Sequence, residues 1–428
     1  MTPMNDAADP GPDLRSAASD ETWSVDELVA AVRAAGPRMA PFDDQVVAFC
    51  GALSRELLGV PGSRDLPAVV ALGYWLRPAS VERAREAFRA QEDAHTILVP
   101  RGTVFHVTPA NVDTMFAYSW IPALLTGNAN VVRLSGRVTD VTRRLLDSVA
   151  RVIEGPAFED LRRRNQLVFA GHDDRISRAL SSVADVRVVW GGDATVQHFR
   201  AFPLPPRGRD VTFPNRHSLA IIDADAVEAA DDEDIAALAD RFFNDAYWFD
   251  QGACSSPRLV VWSSPGAGGA EAPRRRFKAA VGDAIRRRGY VAQTGIAIEK
   301  MVLGYRRAAA ADGVRYERDS NEATWVELPD LDLYDRATCG GGIFFEFVSY
   351  DLETDLSALV RPEDQTAACF GLRPDVVRAL ARRLNGRGID RWVPIGRALE
   401  FGRIWDGYDL LQEFTRRVVV DVGRPGAP

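Results

Sequence analysis

The chain of 428 residues is poor in cysteine, lysine and long apolar runs, and each shortage excludes a class of protein. Four cysteines (Cys50, Cys254, Cys339 and Cys369) are too few for a disulfide scaffold. None stands in a C-x-x-C pair, so no structural zinc site is expected. The five histidines are scattered, and none belongs to H-E-x-x-H, which argues against a zinc protease; no metal is expected. The longest apolar candidate, Met115 to Leu125, is bounded or broken by Asp113, Pro122 and Gly127, so no membrane insertion is expected. Residues 1–22 are acidic, without the apolar centre of a signal peptide, and read as a disordered acidic tail. These features point to a cytoplasmic protein in a reducing compartment. A net charge of -8 gives no overall field for nucleic acid. Of 52 basic residues only Lys278 and Lys300 are lysines, so a single arginine is weak evidence for anion recognition. Neither G-x-G-x-x-G nor G-x-x-x-x-G-K-[ST] occurs.

What is present is a globular composition, 46% hydrophobic and 26% charged, over a length that fits two to three domains at about 150 residues each. Ser24 with Glu27 makes a capping box for a helix to about Ala35. Helical periodicity follows over 43–58 and 80–90. Strands are then expected at 96–100, 102–107, 130–134, 166–170 and 186–190. Helices at 115–125, 140–153 and 174–183 lie between them. A second block has a strand at 219–222, a helix at 231–244, strands at 258–262 and 343–348, and a closing strand from 417 to 422. Strands alternating with helices predict β-α-β units and largely parallel sheets, an α/β fold. Ligands on such sheets sit at the carboxyl ends of the strands. Strands like the last one often pair across an oligomer interface. Arg274–Arg288 is strongly basic and reads as a solvated helix face.

A few residues carry chemistry. Cys254 stands in Asp250-Gln251-Gly252-Ala253-Cys254-Ser255-Ser256-Pro257, a turn of small residues between a helix and a strand. Small neighbours expose a side chain and let backbone N–H groups reach a substrate oxygen. The thiol is a nucleophile if its surroundings favour the thiolate, and an inert buried cysteine otherwise. Asn111 follows Pro109 at a strand end; it is an oxyanion donor or a turn residue. Gly191-Gly192 follows a strand and would let a nucleotide approach the backbone. His217 is a proton donor or a structural loop histidine. Trp120, Tyr247, Trp248 and Phe249 suit an aryl or long apolar substrate, or plain core packing.

Taken in order, VTPANVDTMFAYSWIPALLTGNANVVRL, VVWGGDATV, FPNRHSLAIIDADA, FFNDAYWFDQGACSSPRLVVW and VPIGRALEFGRIWDGYDLL resemble the acyl-CoA reductase family. This is the LuxC-type fatty-acid reductase of bacterial luminescence, a branch of the aldehyde dehydrogenase superfamily. The resemblance runs over roughly residues 70–425. It implies an aldehyde-dehydrogenase-like fold: two α/β domains with parallel-rich sheets and a terminal oligomerisation strand. The expected organisation is a tail over 1–22, a cofactor-binding domain over 23–214, a catalytic domain over 215–395, and a C-terminal segment over 396–428. DQGAC implies Cys254 as the thiol that takes the acyl group, and TPANV implies Asn111 as oxyanion donor. Thr108, Pro109, Arg133, Arg137, Gly191 and Gly192 would then hold a nicotinamide nucleotide. The family often has an acidic residue on the ribose three positions beyond Arg133; here stands Gly136, then Arg137. That exchange favours NADPH over NADH.

The departures matter as much. The glutamate that activates water in hydrolytic relatives maps near Phe213, where there is no carboxylate. The glutamate that steadies the nicotinamide ribose maps near Gly342. An acyl-enzyme without a water-activating base can receive hydride and leave as an aldehyde. The implied substrate is an acyl thioester, with coenzyme A, a carrier or a protein as donor. An acyl-protein synthetase partner and a homo-oligomer are also implied. The rival readings are the reductase component of an aryl or fatty acid reductase system, and a non-catalytic subunit that binds a nucleotide or partner. Cys50, Cys339 and Cys369 are expected to be structural.

Overall fold

The computed structural model describes residues 14–17, 21–35, 38–60, 62, 66–109, 112–134, 136, 138–171, 173–264, 266, 269–336 and 340–422. Asn111, Arg137 and Cys339 lie outside the described residues. The chain divides into two compact units. One holds the described residues up to Pro214 together with Gly402–Ile404 and those from Tyr408 onward; the other holds Asn215–Phe401 and Trp405–Gly407. No helix among the described residues is long and apolar enough to cross a membrane.

The first unit is built on β1 (Leu14–Ser16), β2 (Thr22–Trp23), β3 (Thr96–Pro100), β4 (Thr103–Val107), β5 (Ala129–Leu134), β6 (Asn165–Phe169), β7 (Val186–Trp190) and β8 (Arg209–Phe213). Its main sheet runs β2-β1-β6-β5-β4-β7-β8. The five strands from β6 to β8 are parallel, and β1 and β2 are antiparallel additions at one edge. Covered on both faces, β5 and β7 are buried along their whole length, as strands inside helical layers must be. The helix Val25–Arg33 starts at the expected capping box, with both Ser24–Glu27 bonds made. Leu14–Ser16, inside the stretch read as a disordered tail, instead forms β1 on β6, with Leu14 fully buried. Three residues are too short for composition to reveal. The closing strand Thr415–Val419 pairs antiparallel with β3 of its own chain.

A buried polar chain crosses this sheet. His106 and Asn130, diagonal to each other on the neighbouring strands β4 and β5, are inaccessible to solvent. Asn130 Nδ2 donates to the Asn128 carbonyl and to Asn165 Oδ1, so its own Oδ1 faces His106. His106 Nε2 therefore donates to Asn130 Oδ1 (3.0 Å), and Nδ1 accepts from Ser119 Oγ (2.7 Å). Trp190 Nε1 closes one end on Ser119, and Trp120 Nε1 the other on Asn165. Trp120, a candidate substrate contact by sequence, is thus core. Burial lowers the His106 pKa to about 4 from the ordinary 6.5. The unfolded chain takes up this proton first, so the contribution is intact above pH 6.5 and lost as pH falls toward 4. Between pH 7 and 4.5 the wild type should lose about 2–3 kcal/mol more stability than His106→Gln, read by urea unfolding at both pH values.

The second unit has β9 (His217–Asp223), β10 (Pro257–Ser263), β11 (Arg315–Arg318), β12 (Thr324–Glu327), β13 (Ile343–Ser349), β14 (Asp364–Phe370) and β15 (Arg391–Pro394). The order is β11-β12-β13-β10-β9-β14-β15, all parallel except β11. One face is filled by Phe242, Trp262, Phe277, Trp325 and Phe344, the other by Leu259, Val261, Val326, Phe345 and Leu356.

Two findings depart from the periodicity. The basic helix, Glu271–Arg288, is solvated only in part. Arg274 and Lys278 are buried and paired: Arg274 with Glu346 (3.0 Å) and Glu327, Lys278 with Glu346 and Glu317 (2.7 Å). A second helix, Thr294–Ala310, has the reverse of the usual pattern: Lys300 is buried, whereas Ile298, Val302 and Tyr305 are exposed.

Candidate active site

In the first unit the chain runs from β4 to β5 and β6 on one side, then crosses to β7 and β8 on the other. The connections diverge between β4 and β7, which opens a crevice at the carboxyl ends of those strands. Thr108 and Pro109 follow β4, Gly191 and Gly192 follow β7, and Arg133 is near the end of β5. These sequence-predicted residues therefore share one edge. Thr108 ties the loop down, donating from its hydroxyl (2.9 Å) and its amide (3.2 Å) to the Arg133 carbonyl. Arg133 is buried; its guanidinium donates to the Gly171 carbonyl (2.7 Å) and lies 5.8 Å from the Phe199 ring centre.

Gly192 is the N-cap of the helix Asp193–Arg200 and, having no side chain, leaves the first-turn amides without a side-chain cap. A Cβ at Gly191 would press on Thr195 (2.9 Å). Uncapped amides at a helix N-terminus beside open backbone suit a phosphate. Gly136 has nothing within 4 Å of where a Cβ would stand, which leaves room for a further anionic group. The chain thus fits a nicotinamide nucleotide at this edge. Phe213, at the mapped place of the water-activating glutamate, is buried and stacked on Trp190 with ring centres 3.6 Å apart.

Cys254 belongs to the second unit, in the loop from the helix Asp232–Tyr247 to β10. This is the amino edge of its sheet, opposite to the edge that the parallel topology suggested. The loop is held by Gln251, which is fully buried. Its Nε2 donates to the carbonyls of Pro257 (3.0 Å) and Ile343 (2.9 Å). Its Oε1 accepts from the amides of Gly342 (2.9 Å) and Ile343 (3.0 Å). One carboxamide therefore satisfies four backbone groups and rivets the loop to the starts of β10 and β13. Asp250 and Gln251 both have positive φ (50° and 58°), a conformation that non-glycine residues hold only when their surroundings compel it.

The wall behind the loop is Gly340-Gly341-Gly342. The Gly341 amide donates to the Asp250 carbonyl (2.9 Å), and a Cβ at Gly340 would strike the same oxygen. Gly342 has φ 83°, and a Cβ there would meet the Glu322 carbonyl and the Tyr247 hydroxyl. No ribose-steadying side chain can occupy that position. Tyr247 is buried, with its hydroxyl on the Glu322 carbonyl (3.1 Å), so it too is packing; Trp248 is exposed.

Cys254 itself is half-buried, and its carbonyl accepts from Ser218 Oγ (2.8 Å). Burial pushes the thiol up to about 11, helped by the Asp406 carboxylate; Arg258, the residue's own amide and Arg216 pull the other way. Asp406, buried and paired with Arg216 (3.2 Å), comes from the Ile404-Trp405-Asp406-Gly407 turn. The sequence reading gave no role to Asp406, Arg216 or Arg258; only tertiary folding gathers them. Desolvation by burial lowers the His217 pKa, and the Arg258 charge adds to it; among the described residues its buried Nδ1 has no hydrogen-bond partner. Cys50 is buried and Cys369 half-buried, and burial raises both thiols to about 12.

A sequence model of the acyl-CoA reductase (LuxC) family matches residues 82–292. The long-chain acyl-protein thioester reductase of Aliivibrio fischeri is 26% identical over 200 residues, 46% of this chain and 37% of that protein. Long-chain acyl-protein thioester reductase 2 of Photobacterium leiognathi is 25% identical over 174 residues, 40% of this chain and 34% of that protein. The matched region thus spans just over a third of the length of these relatives. Among solved structures, aldehyde dehydrogenase 21 from Physcomitrella patens superposes with a TM-score of 0.65 at 12% identity, covering 92% of this chain and 89% of that one. A benzaldehyde dehydrogenase from Corynebacterium glutamicum, described as NAD-dependent, gives 0.62 at 13% identity, covering 96% and 94%. Such identities establish the fold alone. The chain has the aldehyde dehydrogenase fold, and its residues 82–292 are similar to the LuxC-type acyl-CoA reductases.

Proposed function

We propose that this protein reduces an acyl thioester to the aldehyde through a thioester on Cys254. The observation that carries the reading is the Cys254 loop: small residues around the thiol, on a backbone held in a strained shape by Gln251. The Cys254 thiolate attacks the carbonyl carbon of the substrate. Asn111 is assigned, from the resemblance, to donate its carboxamide N–H to the developing oxyanion. The carbonyl re-forms as the substrate's thiolate leaves, and the acyl group stays on Cys254. The reduced nicotinamide supplies, when bound, the hydride that converts an acyl group to an aldehyde. Thr108, Pro109, Arg133, Arg137, Gly191 and Gly192 are the residues assigned to hold it. In the resemblance the water-activating glutamate of hydrolytic relatives maps near Phe213, where no carboxylate stands, so this reading includes no base to activate water.

The test is intact-protein mass spectrometry with fatty and aromatic acyl-CoAs, and with an acylated carrier protein, before and after NADPH. A mass gain that NADPH discharges supports the reading and names the donor. No gain with any thioester overturns it. The relatives' names favour a protein-borne acyl group, and the resemblance adds a synthetase partner that would supply it. Cytoplasmic location and self-association through the closing strand belong to the same proposal.

NADPH is the proposed cofactor, because Gly136 followed by Arg137 removes a carboxylate and adds a guanidinium where a 2′-phosphate would stand. Gly136→Glu should lower the NADPH-to-NADH ratio of kcat/KM by at least about tenfold. An unchanged ratio would remove Gly136 from the cofactor site.

A further inference from the structure

Lys300 is one of only two lysines in the chain, and its ammonium is buried. It points inward from the helix Thr294–Ala310, on a stretch whose apolar side chains Ile298, Val302 and Tyr305 face outward. Burying an ammonium is costly unless acceptors compensate it. Its Nζ donates to the carbonyls of Asn321 (2.6 Å) and Gly341. Gly341 is the middle of the glycine wall: its amide holds the Asp250 carbonyl, and the next amide, that of Gly342, holds Gln251 Oε1. A Cβ at Gly341 would strike Ile296, on the same helix as Lys300, so the turn lies tight against it. A continuous chain therefore runs from Lys300 through the Gly341 carbonyl and the 341–342 peptide to Gln251, three residues from Cys254. A cation on the carbonyl of that peptide polarises it and strengthens the bond its N–H gives to Gln251.

We propose that Lys300 is a positioning residue for the nucleophile. Its charge holds the glycine wall, and the wall holds the Cys254 loop in its strained shape. The proposal rests on Cys254 being the reacting thiol, and on no particular substrate.

The test replaces Lys300 with methionine, which keeps the length and removes the charge. Cys254 alkylation by iodoacetamide is followed against pH with peptide mapping, in a variant shown to unfold cooperatively. The expected result is at least fivefold faster labelling at pH 8, as the loosened thiol moves down toward the free-thiol range. Acylation by thioester should fall at least tenfold. Lys300→Gln, which can still donate, should recover part of both. A folded Lys300→Met variant with the wild-type alkylation profile overturns the proposal. If the variants do not fold, hydrogen exchange in the wild-type protein decides. Peptides covering 250–252 and 340–343 exchange as one unit if the chain of bonds is continuous; independent exchange overturns it. Alkylation needs no acyl substrate, so failure of the reductase reading is seen separately, as no acyl transfer in the wild type.

Discussion

Replacing Cys254 with alanine should abolish acyl transfer, with turnover lowered by at least about 10⁴-fold and the fold intact. The side chain is half-buried and donates no hydrogen bond among those described, so the stability change should stay within about 1 kcal/mol. Loss of activity then reports chemistry and not unfolding. Intact mass shows it directly: the acyl adduct forms on the wild type and not on Cys254→Ala. An adduct that persists in the variant would move the nucleophile elsewhere. The pH dependence has a definite sign. Burial and Asp406 push the thiol up to about 11, so the reactive thiolate is a minor form at neutral pH. In the free enzyme its fraction rises about tenfold per pH unit below that value. The rate of Cys254 acylation should therefore climb from pH 7 to pH 9 with a logarithmic slope near one. A plateau beginning near pH 7 would mean that Arg258 and Arg216 outweigh burial.

The largest stability effect is expected at Gln251. Gln251→Ala removes four hydrogen bonds at once and leaves the Pro257 and Ile343 carbonyls and the Gly342 and Ile343 amides without this partner. Each such buried group costs about 1–3 kcal/mol unless water reaches it. Alanine must also hold a φ of 58° without the bonds that compel it. The expected loss is about 3–5 kcal/mol in urea unfolding, with Cys254 acylation falling along with it. Gln251→Glu separates shape from bonding. It keeps the size and can still accept from the two amides, yet it turns a carboxylate oxygen toward two carbonyls. It should be as damaging as alanine, and near-wild-type stability for Gln251→Glu would mean that packing, not the hydrogen bonds, holds the loop.

Much of the α/β plan was legible because its signals are local. The capping box at Ser24 and Glu27, the apolar runs that become β4, β5 and β7, and the small residues around Cys254 depend on a few neighbouring side chains. Local signals also miss in a consistent way. Leu14–Ser16 has no periodicity to read, yet β6 offers it a free edge. Arg274 and Lys278 look like a solvated face until Glu346, more than sixty residues away in sequence, is folded beneath them. Lys300 is buried on a helix that turns Ile298, Val302 and Tyr305 outward, the inverse of the pattern that periodicity detects.

By itself, then, the sequence determined the alternating strands and helices around β4, β5 and β7 and which thiol stands in a turn of small residues, since both are set by short-range sterics and side-chain order. Only the tertiary structure decided what surrounds that thiol. Gln251 finds its partners at the start of β13, Asp406 arrives from a distant turn, and Lys300 reaches the glycine wall from a separate helix. Those partners lie tens to more than a hundred residues away, and no local spacing encodes them. They meet because buried polar groups must find partners, and the folded chain supplies those from wherever its backbone passes.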